Sequence, residues 1–218
     1  MTLAFARFDL MSWLPRTQSL LPLAFIVVVG SILPVPGMAI AASVFVASLM
    51  VSAPFVGDEK GHLDILYGVL PVSRRTVVVG RSLAVIAYAV LAMVIATAVT
   101  FAAALVRGSS IAPEILLIAF AAAFAVVGLS LSIQLPVFFR VGYSRGRLAA
   151  YAPTLVIAGS LWLSQATGIA APLSDGSIEF SVPMIVGLGC AIGVLGIVIA
   201  ILLSVRVYRT RDLSAESA

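Results

Sequence analysis

Charge is what this sequence has least of. Among 218 residues there are 13 Lys and Arg and 9 Asp and Glu, 10% of the chain, where an ordinary soluble domain carries about 25%. Hydrophobic residues make up 62%, so a soluble single domain, which needs a solvated polar surface, is excluded. One cysteine, Cys190, cannot close an internal disulfide, and one histidine, His62, cannot supply the clustered ligands of a structural zinc or a paired-histidine haem. The net charge of +4 is spread over short polar stretches rather than one basic face, which argues against nucleic-acid binding. Neither a G-x-x-x-x-G-K-[ST] phosphate cradle nor an H-E-x-x-H zinc motif occurs. The N-terminus carries Asp9 among Phe5, Phe8 and Trp13 and lacks the basic, apolar and small-residue succession of a cleaved signal peptide, so it is expected to be retained.

What is present is long runs without charge. Residues 17–57, 82–106, 115–139, 148–174 and 180–205 contain no charged side chain. A helix crosses a hydrocarbon core with about 20 apolar residues, so the last four runs hold one span each and the first is long enough for two. Read as a hairpin turning at Pro34-Val35-Pro36-Gly37, the first run gives six spans, near 20–36, 39–56, 82–106, 114–136, 149–169 and 183–205. The count is decided by the basic residues, which favour short cytoplasmic loops. Six spans place every Lys and Arg except Arg107 on one side, whereas a single crossing by 17–57 divides them 10 against 3. The expected fold is an all-α polytopic integral membrane protein with six transmembrane helices and both termini cytoplasmic. The 218 residues read as a single transmembrane domain, with an N-terminal interfacial helix in 1–18 and an external loop at 170–182.

The segment between spans two and three, 57–81, is the most structured of the loops. Asp58 can cap a helix and, with Glu59, places negative charge at its positive end, while Leu63, Leu66, Tyr67 and Leu70 recur on one stripe. Pro71 stops this helix, and Ser73 is a natural cap for one running through Arg74 and Arg75 into span three. The polar stripe of Asp58, Lys60 and Asp64 is expected to face water. Such a helix either lies on the lipid surface as a connector or docks a cytoplasmic partner. Three acids in seven residues favour docking, because anionic leaflets attract polybasic segments instead.

Two stretches carry a family likeness. One runs from Asp58 through Leu70-Pro71-Val72-Ser73-Arg74-Arg75 to Gly80-Arg81; the other is Leu135-Pro136-Val137-Phe138-Phe139-Arg140-Val141-Gly142-Tyr143-Ser144-Arg145-Gly146-Arg147. Together they resemble the permease subunits of type-2, exporter-class ABC transporters, in the small six-span bacterial branch. Pro136, Arg140, Gly142, Arg145 and Arg147 match the family's second cytoplasmic loop, with Arg145 where Lys is more usual. The resemblance implies that 57–81 is a cytoplasmic coupling loop. In it, Asp58, Glu59, Leu63, Leu66, Tyr67, Leu70, Pro71, Arg74 and Arg75 would engage a separate ATPase subunit. It also implies that ATP and Mg are bound by that partner, that this chain holds no cofactor and is not itself an enzyme, and that a second permease completes a transporter in the cell membrane.

Within the spans, Gln134 and Gln165 are the only amide side chains, suited equally to structural hydrogen bonding and to lining a path. Gly189 and Gly193 have small-xxx-small spacing, with Gly187 and Gly196 extending a smooth face suited to close packing on a neighbouring span or to a dimer-specific contact. No ionisable residue lies in the middle of a span, which argues against a proton-coupled carrier or an ion channel. The alternative to a transport subunit is a non-transporting membrane scaffold or a membrane enzyme of unrecognised type. Charge-free spans point to lipophilic or amphipathic cargo.

Overall fold

The computed structural model describes residues 2–13, 17–33, 37–61, 73–109, 111–167 and 181–209, and no strand occurs among them. The helices are α1 (Thr2–Trp13), α2 (Thr17–Ile32), α3 (Met38–Met50), α4 (Ala53–Gly61), α5 (Arg74–Val106), α6 (Pro113–Gly146), α7 (Ala152–Thr167) and α8 (Val182–Arg209). The expected turn at 34–36, most of the external loop and the C-terminal tail lie outside the described residues. Among the described residues, four stretches are long and apolar enough to cross a bilayer: Met38–Glu59, Arg74–Val106, Pro113–Ser160 and Val182–Arg209. A shorter apolar helix covers Leu20–Ile32.

Local sequence explains the boundaries. Ser73, in extended conformation, caps α5 by accepting from the Thr76 N–H at 3.2 Å, and Pro113 opens α6 where its missing N–H costs nothing. Helix α6 continues through Pro136 as far as Gly142, whose φ of 73° and ψ of −177° break it. A 3-10 turn over Arg147–Tyr151 then leads into α7. The Pro113–Ser160 stretch is therefore two helices folded back on each other. The Gln134 side-chain amide donates to the Ala150 carbonyl at 3.4 Å, a gap that 16 residues of continuous helix would open to about 24 Å.

Glycine sets the tightest helix contact. Helices α6 and α8 run parallel, with Ala121 against Gly189, Phe124 against Gly193 and Gly128 against Gly196. A Cβ on Gly193 would stand 2.9 Å from the Phe124 carbonyl oxygen, and one on Gly196 would meet the Gly128 backbone at 2.5 Å. Gly187 departs from the expectation, since a Cβ there meets nothing within 4 Å. Seven residues on from Gly187 is Val194, 52% exposed, whereas the packed face carries buried Gly193, Gly196 and Ala200. Large apolar side chains face outward along the helices, with Leu155 64%, Trp162 67% and Leu195 60% exposed, as expected of a chain whose solvent is lipid.

Gly193→Leu should therefore lower thermal stability in detergent by at least about 1–3 kcal/mol through overpacking, while Gly187→Leu should leave it unchanged. Midpoints of heat-induced loss of the monodisperse species compare the two.

Candidate functional site

The candidate site lies at the end of the bundle where α1, α4, the start of α5, the end of α6 and the end of α8 converge. Its centre is Arg81, only 3% exposed although charged. Arg81 Nη1 and Nη2 clamp the Asp58 carboxylate, the latter at 3.1 Å from Oδ1, and Nη2 also reaches Asp9 Oδ1 at 3.3 Å. Its guanidinium carbon stands 5.2 Å from the centre of the Phe55 ring, a favourable cation–π position. Asp9 and Asp58 are themselves buried, 4% and 6% exposed. Fully desolvated charges persist only when paired, and removal of one partner of such a set costs about 3–5 kcal/mol.

The expected role of Asp58 as an N-cap on a water-facing stripe is overturned here. Helix α4 begins at Ala53 and runs to Gly61, so Asp58 falls in its last turn, and Arg81 draws it inward. Helix capping was the local reading; the long-range ion pair outweighs it. Asp9 and Arg81 were not singled out as site residues. The available signal was a lone acid in an otherwise apolar N-terminal segment and a lone base immediately before a charge-free run.

Next to the ion pair, the two family-like stretches meet. Glu59 of α4 accepts from the Ser144 N–H at 3.0 Å and from the Ser144 hydroxyl at 2.6 Å. Gly142 makes this possible, because its φ and ψ belong to a region essentially reserved for glycine. An added Cβ would also lie 2.5 Å from Glu59 Oε1. Beneath this clasp is an aromatic cluster. Phe55 packs on Phe138 at 5.3 Å and edge-on to Phe139 at 5.0 Å, and Phe139 meets Tyr208 at 5.5 Å. Arg74 closes the far side by donating to the Arg209 carbonyl at 3.2 Å, in the last turn of α8.

The remaining sequence candidates fall as follows. Leu63, Leu66, Tyr67, Leu70 and Pro71 lie outside the described residues, as does the Gln165 side chain. Arg75, Arg140, Arg145 and Arg147 are exposed at this same end, and Pro136 is half-buried. Gln134 is fully buried one layer deeper, donating to the Ser48 hydroxyl and thereby tying α6 to α3. Gly189 and Gly193 serve the α6–α8 contact.

A family model described as ABC-2 family transporter protein matches residues 9–209. The chain belongs to the ABC-2 transporter family. No curated protein and no solved structure matches it. The match spans the whole bundle, from Asp9 in the buried ion set to Arg209 at the end of α8, and makes this ABC-2 chain a membrane-embedded transporter component. One spelling in it invites a different reading: Gly142-Tyr143-Ser144-Arg145-Gly146 has the G-x-S-x-G form of a hydrolase nucleophile elbow. That motif needs a strand-to-helix turn and a base to accept the serine proton. In the ABC-2 chain Ser144 sits at a helix break and its hydroxyl faces the Glu59 carboxylate.

Within the ion set, Arg81→Ala should cost about 3–5 kcal/mol of stability by stranding two buried carboxylates. Asp9→Asn, which removes the more weakly held acid, should cost least of the three single changes, with Asp58→Asn between. Gly142→Ala should cost about 1–3 kcal/mol and release Ser144 from Glu59. Thermal unfolding of the purified chain ranks all four.

Proposed function

We propose that this chain is the membrane-spanning permease subunit of an ATP-driven exporter in a bacterial plasma membrane, with six spans and cytoplasmic termini. It forms the translocation path with a second permease and is driven by a separate cytoplasmic ATPase that binds ATP and Mg. The observation that carries this reading is the Glu59–Ser144 clasp within a family-matched chain: it joins the segment leading into 62–72 to the second cytoplasmic stretch at one end of the bundle. A force applied by an ATPase to the 58–70 segment then passes through Glu59 to α6 and through Asp58 to α5, rather than being absorbed by a slack loop. The same end carries Arg74, Arg75, Arg140, Arg145, Arg147 and Arg209, while Arg107 sits at the other, donating to the Ser31 and Leu33 carbonyls at the end of α2. That asymmetry supports cytoplasmic placement of the clasp.

Leu66→Asp should abolish co-purification of the ATPase and export from cells at matched membrane abundance, because a charge would be buried where an apolar group belongs. Lys60→Ala should change association by less than about 1 kcal/mol. Retention of the ATPase and of export by Leu66→Asp would reduce 58–70 to a surface connector.

Orientation is checked separately. In a Cys190→Ser background, cysteines at Gly108 and Asp175 should react with an impermeant thiol reagent added outside, and those at Gly61 and Ser144 should not.

A further inference from the structure

The N-terminus of α5 and the C-terminus of α8 leave between them a cleft of about 640 Å3. Three guanidiniums border it, from Arg74, Arg75 and Arg209, over a floor of Val79, Ile201, Leu202 and Val205. No carboxylate among the described residues lines it. Arg74 donates to the Arg209 carbonyl at 3.2 Å and so offsets the negative end of the α8 dipole, which would otherwise repel an anion. The positive end of α5 faces the same space. Arg75 and Arg209 are exposed.

The floor does not stop at the cleft. Leu202, Leu195 and Leu188 are 64%, 60% and 59% exposed and, at intervals of seven, lie on one face of α8. They form an apolar track about 21 Å long, enough to cross one leaflet of a hydrocarbon core roughly 30 Å thick. A soluble anion has no use for such a track, and an acidic protein surface would not follow it into the bilayer.

We propose that this cleft binds an anionic phospholipid, its phosphate held by Arg75, Arg209 and the start of α5 and one acyl chain laid along Leu202 and Leu195. The leaflet is the one that carries the basic residues. Only the naming of that leaflet as cytoplasmic rests on the proposed function. The site itself is a feature of the isolated chain and adds a lipid requirement that the permease reading does not contain.

The test is a thermal-shift titration of the full chain in neutral detergent with dioleoylphosphatidylglycerol, with dioleoylphosphatidylcholine and inorganic phosphate as comparison probes. Phosphatidylglycerol should give a saturable stabilisation that neither comparison probe gives. Each of Arg75→Gln and Arg209→Gln should weaken its apparent affinity about fivefold and the pair roughly thirtyfold, at about 1 kcal/mol per arginine near a membrane surface. Arg7→Gln, an equal charge change at an exposed position on α1, should leave affinity unchanged. Equal stabilisation by phosphatidylcholine, equal weakening by Arg7→Gln, or full competition by inorganic phosphate would overturn the proposal. So would tighter lipid binding after deletion of 210–218, which would make the tail's Asp212 and Glu216 the occupant. Loss of ATPase co-purification by the double variant with phosphatidylglycerol affinity intact would identify the cleft as a partner contact instead. No ATPase is present in the titration, so its failure leaves the permease reading standing, and failure of that reading leaves the lipid result unaffected.

Discussion

Everything at the charged end of this bundle depends on one buried guanidinium. Arg81 stands at the point where α5 leaves its polar first turns and enters 25 charge-free residues, a depth at which an unpaired charge is untenable. Its need for counter-charge draws in Asp58 from α4 and Asp9 from α1, two segments far apart in the chain. Once Asp58 is fixed, the helical turn that carries it also fixes Glu59, and Glu59 reaches Ser144 across the interface. The N-terminal helix, the approach to the 62–72 segment and the break in α6 are in this way referred to a single side chain.

Below that layer the forces change. Lipid is as apolar as leucine, so burying hydrophobic surface gives little drive to helix association, and close packing takes over. Gly128, Gly189, Gly193 and Gly196 bring α6 and α8 into backbone contact, and the aromatic cluster of Phe55, Phe138, Phe139 and Tyr208 locks the ends of the same helices together. The buried Gln134–Ser48 hydrogen bond adds α3 to this group. The bundle thus has a closely packed lower half built on small residues and an upper end held by ions.

How much of this could be read from the sequence varies with the range of the interaction. The apolar segments were legible because hydrophobic length is a one-dimensional signal, and among the described residues they fall mainly in helix, four stretches being long enough to span. Ser73 was legible as a cap because capping is local. Asp58 was misread for the same reason: local rules offer it a helix N-terminus, and only the fold brings Arg81 from 23 residues away. The pairing of Gly128 with Gly196 was half visible, since the glycines of α8 show the spacing but Gly128 has no second glycine at that spacing on α6. The Glu59–Ser144 clasp had no sequence signal beyond both residues lying in family-like stretches.

The most direct measurement of the central claim is a double-mutant cycle between Asp58 and Arg81, using Asp58→Leu, Arg81→Met and the pair, with thermal or denaturant unfolding of the purified chain in one detergent. If Arg81 organises this end through the pair, the two changes should couple by about 1–3 kcal/mol, the double variant recovering stability that Arg81→Met alone has lost. Additivity within about 0.5 kcal/mol would mean that the two charges do not sense each other, and Arg81 would lose its place as the element on which the site is built.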